Sequence, residues 1–406
     1  MARCMLSSFG GDGLGRRVEA AFTCIGVAGS QGLTYAHAPF THLEHGISPA
    51  RAEEFIGLGR AYPTLPVVYT GRLRTPIVSD ARFRLVELNQ TNGFRCAPDK
   101  WLASDEAACA GGRCTCARDN ATVYIGSDCW SRFWCGGQSI AAHAAWYRAL
   151  PRIRAAYYSN MTHKALSADW DAGRHCTVVG VHMRSVKRRA LPMSLYQAVI
   201  GALIRRHAAH LEGGVKHGRL QIRLHTDRAT PAVPVRSPAA RTAATAHQNA
   251  TRHPTRTGSV QSTPEEGFAS WLREQPSSHP GVSVVTIGGE HDALHSFHEL
   301  VSADIVVTAR SSFSVAAAML GNATVLRLHP RGSAVRCPTI GDGGRVVRAP
   351  TGLSEAPLPH WITWPSCPSL PPSGATPTDA TLADEMVAAI PHWPPRNPRR
   401  ILRGSV

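Results

Sequence analysis

The chain contains no run of 18 or more apolar residues, so the sequence holds no candidate membrane-spanning helix. It has no C-x2-C knuckle among its 11 cysteines, which argues against a zinc finger or ribbon. It has no G-x-G-x-x-G turn. Acids are scarce as well, 28 Asp and Glu against 44 Lys and Arg, which leaves a net charge of +16. That charge invites a nucleic-acid partner. However, the basic residues are mostly Arg spread along the chain, without aromatic ribonucleoprotein motifs or finger spacing, and a basic protein suits a nucleotide diphosphate equally well.

What is present begins with compartment signals. Seven asparagines occur, and five of them, Asn89, Asn120, Asn160, Asn249 and Asn322, open an N-x-T sequon. Chance would give roughly one, so the excess favours passage through the secretory pathway. Six cysteines, Cys96, Cys109, Cys114, Cys116, Cys129 and Cys135, crowd a Gly-rich stretch at 96–135 that reads as an elaborated loop. Their spacing fits disulfides better than zinc, with connectivity left open. No signal peptide precedes the first motif, so either the true start lies upstream of Met1 or the sequons are decoys, and the protein is cytoplasmic. A membrane would be met only through an anchor outside this sequence.

At 406 residues with 43% hydrophobic content, the chain can fill two α/β cores and more. Residues 1–9 read as a first strand. Gly10-Gly11-Asp12-Gly13-Leu14-Gly15-Arg16-Arg17 then turns into a helix carrying Val18, Ala21, Phe22 and Ile25. A second strand is expected at 33–40, a helix at 49–58, strands at 65–69 and 83–88, and a helix at 139–150. Tyr157, Tyr158 and Trp170 read as packing aromatics or, alternatively, as a sugar platform. Residues 176–183, CTVVGVHM, are a buried strand leading to Arg184 and the basic turn Lys187-Arg188-Arg189, then a helix at 192–211. A strand at 220–226 ends in His225-Thr226-Asp227. Residues 228–263 have no hydrophobic period and are expected to be a disordered insertion in a surface loop. A helix starts at 264, and strands follow at 282–287 and 325–328. The Pro-rich tail offers one helix, 378–390, that could cross back to the first domain.

The organising stretch is 294–320, LHSFHELVSADIVVTARSSFSVAAAML. Leu294, Phe297, Leu300 and Val301 recur at helical spacing; 303–308 is a short Val/Ile strand; Ser311 or Ser312 then caps a helix of small residues. In an open α/β sheet such a turn holds ligands, and a helix N-terminus with hydroxyls holds phosphate. On spacing alone it is equally an ordinary strand-to-helix turn with a serine cap.

Three of these stretches, in this order, resemble the GDP-fucose-dependent fucosyltransferases. Ala303-Asp304 followed by Ser311-Ser312-Phe313-Ser314 resembles the last motif of that family. His182-Met183-Arg184 resembles its H-x-R motif, and the opening glycine turn resembles its Gly-x-Gly-Asn-Arg loop, with Arg17 matching the Arg. The resemblance implies a GT-B-like α/β fold, two Rossmann-like domains facing across a cleft. These would be an acceptor-side domain at 1–165, a donor domain at 166–345, and a tail at 346–406. It implies a glycosyltransferase that moves fucose from GDP-fucose to a glycan or glycoprotein hydroxyl with inversion. Neither metal nor cofactor is expected, and no nucleic acid. Arg184 would hold the β-phosphate, because its donor fork meets two oxygens at once. His182, Ser311, Ser312, Phe313 and Ser314 would complete the donor site; Gly11, Gly13, Gly15, Arg17 and His37 would form the acceptor side. Asp12, Glu44 and Asp227 are candidate bases, each a surface carboxylate by default. The Golgi lumen is the implied compartment.

The chain departs from the pattern at Lys187, where the family has an acid. That leaves a catalytically silent binding member of the fold as one alternative. An NAD-dependent enzyme using the first glycine turn is another. Replacing 228–263 with a short Gly-Ser linker is expected to leave the melting temperature and GDP binding unchanged, since long surface insertions cost little in loop entropy. A large fall in melting temperature on deletion would show a packed segment instead.

Overall fold

The structure is a computed structural model. It describes residues 5–8, 13–30, 32–41, 43, 47–64, 67–70, 75–78, 83–88, 121–126, 129, 133, 139–160, 164, 166, 169–170, 175–183, 191–214, 218–226, 264–287, 292–308, 311–328, 361–363, 378–390 and 393. The insertion read at 228–263 lies outside them.

In chain order the first part carries β1 (Met5–Ser8), α1 (Leu14–Ser30), β2 (Thr34–Tyr35), α2 (Pro49–Ile56) and α3 (Leu58–Ala61). Then come β3 (Val67–Thr70), β4 (Thr75–Val78), β5 (Phe83–Leu88), β6 (Ala121–Gly126) and α4 (Ser139–Ser159). The second part carries β7 (Cys176–Met183), α5 (Met193–Glu212), β8 (Arg219–Thr226), α6 (Pro264–Ser278), β9 (Val282–Ile287) and α7 (Ala293–Ser302). It closes with β10 (Ile305–Thr308), α8 (Ser312–Leu320), β11 (Thr324–Arg327), β12 (Trp361–Thr363) and α9 (Asp379–Ala388).

Two parallel sheets result. The first has order β2-β1-β6-β5, the second β12-β11-β10-β7-β8-β9. Read from β9, the second sheet has the doubly wound dinucleotide-fold order, with its direction reversal between β7 and β10. This is the α/β class that the sequence implies.

Burial on β7 and β8 shows how the second sheet divides its two faces. Val179, Val181 and Met183 share one core with Leu220, Ile222 and Leu224 and with α5, α6 and α9. Cys176 and Val178 face a different core, built from α1, α4, α7 and α8. Alternation along a strand sends neighbours to opposite faces, so one strand serves both layers. The second core is shared: α1 and α4 of the first part pack directly on α7 and α8 of the second.

Several expectations change here. The stretch at 96–135 is not loop throughout: β6 lies inside it, between β1 and β5 in the first sheet. Its sequence, ATVYIG, has the β-branched and aromatic content of a strand, masked by flanking cysteines and glycines. The strand expected at 65–69 forms, but as an antiparallel hairpin with β4 rather than in the main sheet. The strand expected at 33–40 shrinks to Thr34–Tyr35 and one bridge, His37 to Thr64. The tail supplies an edge strand, β12. Its helix, α9, capped by the Thr378 hydroxyl, does not cross back to the first part. Leu382, Met386, Val387 and Ile390 seat it on α5, and Arg206 donates to the carbonyls of Val387 and Ile390.

Cys129, one of the six clustered cysteines, pairs with Cys24 in α1, across a sequence separation of 105. The other five lie outside the described residues. Closing so long a loop removes unfolded-state entropy, and losing a native bridge typically costs about 2–5 kcal/mol. Cys129→Ser is therefore expected to lower the denaturation midpoint clearly, and non-reducing peptide mapping should recover a Cys24–Cys129 cross-linked pair. Recovery of both thiols in alkylated form from unreduced protein would refute the bridge.

Candidate functional site

After β7 the chain turns to the face that carries α5; after β10 it turns to the opposite face, where α8 lies. Between two strands whose connections part in this way a crevice opens at their carboxyl ends, and ligands of open α/β sheets sit there. Residues at that point are His182, next to last in β7, and Ser311 to Ser314 at the start of α8.

The pairing of these strands is fixed by the Asp of the Ala-Asp motif. Asp304 is buried, its Oδ2 accepts from the Val178 N–H at 2.8 Å, and its own N–H donates to the Val178 carbonyl at 2.9 Å. A carboxylate taking a backbone N–H at the head of β10 holds it in register with β7. Gly180 completes the fit: a Cβ there would meet Leu300 at 2.9 Å and Ala303 at 3.3 Å, so α7 can lie close on the strand.

Ser311 is the N-cap of α8, with its carbonyl accepting from the Val315 N–H at 3.1 Å. Its hydroxyl makes no capping bond, and the Ser314 hydroxyl, fully buried, donates back to the Ser311 carbonyl at 3.3 Å. Ser312 and Phe313 are half-buried. The backbone N–H groups of the first turn have no partner within the helix, so they are available to an anion. The Phe313 ring lies 5.4 Å from the His182 ring and meets Phe297 edge-on at 5.3 Å. The structure therefore brings the His182 and Ser311 to Ser314 stretches together.

It also brings in the glycine turn. Gly15 abuts the start of α8 so closely that an added Cβ would overlap the Phe313 backbone. Arg17 is buried in the first turns of α1, its N–H donating to the Gly13 carbonyl at 3.1 Å. At its other end α8 is held by Arg154 of α4, which donates to the Leu320 carbonyl at 2.8 Å and to that of Gly321. His37 is placed elsewhere: buried in the first part, its Nε2 meets the Glu53 carboxylate at 2.8 and 2.9 Å, and its ring packs on Phe40. Glu53 and Phe40 give His37 a packing role. Arg184, Asp12, Glu44, Asp227, Gly11 and Lys187 lie outside the described residues.

Sequence reasoning missed a buried charge cluster on the α7 side of β8. Arg223 is fully buried and donates to both oxygens of Glu299 in α7, at 2.9 and 3.2 Å, and to Asp169 at 3.1 Å. Glu299 also meets His295 one turn earlier at 3.1 Å. His225 lies 3.8 Å from the same carboxylate. The signal was in the strand: RLQIRLHT alternates polar and apolar where a strand covered on both faces should be apolar throughout. Asp169-Trp170-Asp171 also has D-x-D spacing; Asp169 is the partner of Arg223, and Asp171 lies outside the described residues. Among the described residues no group of three or more His, Cys, Asp or Glu is set to hold a metal ion, and no helix is long and apolar enough to cross a membrane.

No protein-family model matches this sequence, and no curated protein matches it. Solved structures with some likeness to this chain include FUT1 of Arabidopsis thaliana, a mutant in complex with GDP, at 12% identity over 82% of this chain and 72% of that one, TM-score 0.40. The α-1,6-fucosyltransferase NodZ, co-crystallised with GDP, is 14% identical over 81% of this chain and 96% of that one, TM-score 0.33. NodZ is also known in a structure from Bradyrhizobium. The E. coli heptosyltransferase WaaC with ADP-2-deoxy-2-fluoro heptose is 10% identical over 99% of both chains, TM-score 0.36.

The cluster makes stability depend on pH in a definite direction. Burial pushes the His225 pKa down to about 3, outweighing the attraction of Glu299, whose oxygens already serve Arg223 and His295. His225 is therefore neutral in the folded protein. Its contribution is complete above the unfolded value of about 6.5 and is lost, by up to about 1.4 kcal/mol per pH unit, as pH falls from there towards 3. His295 acts oppositely: its hydrogen bond to Glu299 raises its pKa, so its contribution is present below about 6.5 and fades as pH rises through the raised value. His225→Gln is expected to flatten the acid side of a stability-versus-pH curve between about pH 6 and 4. An unchanged slope would mean that other groups set acid lability.

Proposed function

We propose that this chain is a glycosyltransferase that moves fucose from GDP-fucose to a glycan or glycoprotein hydroxyl, with inversion and without a metal. The single observation that carries the reading is the meeting of His182 with Phe313 and the N-terminus of α8 at the point where the second sheet reverses direction. A nucleotide diphosphate is the ligand for which that crevice is built in other doubly wound sheets.

Such a transfer needs charge stabilised on the departing diphosphate and a proton removed from the attacking hydroxyl. For the first, the N–H groups at the start of α8 and the hydroxyl of Ser312 offer donors, and the helix dipole adds partial positive charge. Arg184 follows directly on Met183, the last residue of β7, and would meet the β-phosphate. The acceptor would approach from the glycine turn, since Gly15 already touches the start of α8. Asp12, Glu44 and Asp227 are the carboxylates put forward as base. The sequons, together with the Cys24–Cys129 bridge, support passage through the oxidising secretory pathway, with the Golgi lumen as the place of action.

Lys187, standing where the resemblance expects an acid, favours a second reading: a member of the fold that binds nucleotide or glycan without turnover. Tight GDP binding with no donor hydrolysis would select it. An NAD-dependent enzyme using the first glycine turn is the other reading. Thermal shift with GDP against NAD separates the two, since a ligand stabilises the fold that binds it.

The residue-level test is Arg184. Arg184→Ala is expected to weaken GDP by roughly one to two orders of magnitude, the worth of a charge-assisted contact, while GMP binding stays nearly unchanged. Arg184→Lys keeps the charge but loses the fork, and should fall between. Equal losses for GMP and GDP would assign Arg184 to the fold or the base pocket. No change in either would remove it from the donor site.

A further inference from the structure

The last rung of the second sheet carries four polar side chains in one row. His225 of β8 pairs with His182 of β7, and Arg327 of β11 pairs with Thr308 of β10. Val307 is paired with Val181, which sets Thr308 beside His182 and completes the row. The residues before them, Leu224, Val181, Val307 and Leu326, all belong to the core on the α5 face, so these four side chains point the other way, to the face of α7 and α8. Neighbouring strands lie about 4.8 Å apart, which puts Arg327 roughly 10 Å from His182, with Thr308 between them.

The helix α8 joins β10 to β11, packs over both, and touches His182 through Phe313 in its first turn. That turn is therefore bracketed by His182 on one side and Arg327 on the other. Thr308, His182 and His225 are buried, whereas Arg327 is half-buried and within reach of a solute. Its charge is felt on this same face: burial first, and then Arg327, lower the pKa of His143 in α4 to about 4. The helix thus has an arginine towards each end. Arg154 suits the C-terminus, where carbonyls and the negative end of the dipole favour a cation. Arg327 stands level with the positive end, where the dipole opposes it. An anion between the two offsets that repulsion and accepts from the N–H groups of the first turn as well.

We infer that Arg327 is a second diphosphate-binding residue of the donor crevice, its guanidinium donating to phosphate oxygens held at the start of α8. The inference rests on the donor reading proposed above and adds to it a residue that no motif marks, since Leu326-Arg327-Leu328 reads in the sequence as part of an ordinary strand. A diphosphate bears more negative charge than Arg184 balances alone, and a departing one gains charge as its bond to the sugar breaks. A planar donor fork on the far side of the helix start meets that need.

The test is isothermal titration of the full chain with GDP, inorganic pyrophosphate and guanosine. Arg327→Gln is expected to weaken GDP and pyrophosphate by about tenfold or more, the worth of a charge-assisted hydrogen bond, while guanosine, which has no phosphate, binds as before. Arg327→Lys keeps the charge without the fork and should lie between. An arginine with a structural role alone would move guanosine as much as GDP, and that result overturns the inference. So does a GDP affinity that is equal in wild type and Arg327→Gln. If Arg327→Gln fails to fold, Arg327→Lys decides, and wild-type GDP affinity in that variant is refuting. A wild-type chain that binds no GDP removes the donor reading and this inference together, whereas GDP binding untouched by the substitution removes Arg327 alone and leaves the crevice in place.

Discussion

The arrangement depends on how α8 is held. This nine-residue helix has no charged side chain, is buried from Ser314 to Leu320, and is gripped at both ends by the first part of the chain. Gly15 presses against its first turn, and Arg154 caps its last carbonyls. Helix ends carry unsatisfied donors and acceptors. Here the C-terminal acceptors are used by a buried guanidinium from α4, while the N-terminal donors remain beside His182. Because the same helix closes the direction reversal of the second sheet, the crevice and the contact between the two parts are one structural problem with one solution. A shift of α8 would alter both.

Close approach of this kind needs small residues. Ala316, Ala317 and Ala318 are fully buried, and Gly15 supplies a position without a Cβ. Arg51 of α2 adds a contact to Asp292, the N-cap of α7, so a second helix of the second part is also tied across. That pair is half-exposed and contributes little by itself. The buried Arg154 matters more, since a guanidinium removed from water without its two carbonyls would be strongly unfavourable.

Beneath this apolar contact runs the polar face of β8. A buried Arg223 demands a counter-charge, and Glu299 supplies it with a two-point contact. Glu299 in turn keeps His295 basic, while burial keeps the nearby His225 neutral. The pKa values of two histidines beside one carboxylate are thus shifted in opposite directions, because a hydrogen bond to Glu299 raises that of His295 while burial lowers that of His225. The same arginine reaches Asp169 and Trp170 at the far end of the strand.

Much of the fold was legible wherever the apolar pattern was unbroken. The runs at 176–183 and 303–308 read as buried strands and are so, the second as Ile305–Thr308; the run at 282–287 read as a strand and forms the partly exposed edge strand β9, and the serine turn before α8 announced a helix start. Where composition misled, the pattern was interrupted or short. β6 sits among glycines and cysteines, and β12 is three residues in a Pro-rich tail, so neither could outweigh its flanks. The hairpin of β3 and β4 read as a sheet strand because alternation does not say which partner a strand takes. For α9 the period was plain, but a helical face does not name the surface it covers, and that surface proved to be α5.

By itself, then, the sequence determined the elements with strong period and the parallel α/β class. Tertiary structure alone decided that His182 and Phe313, 131 positions apart, stand 5.4 Å from one another, and that Gly15 reaches them both through α8. It alone paired Cys24 with Cys129 and drew Arg223, Glu299 and Trp170 into one buried group. The reason is physical: period and propensity act over a turn or a strand, whereas strand order, pairing of charges and the meeting of distant loops are fixed by which faces must be buried together.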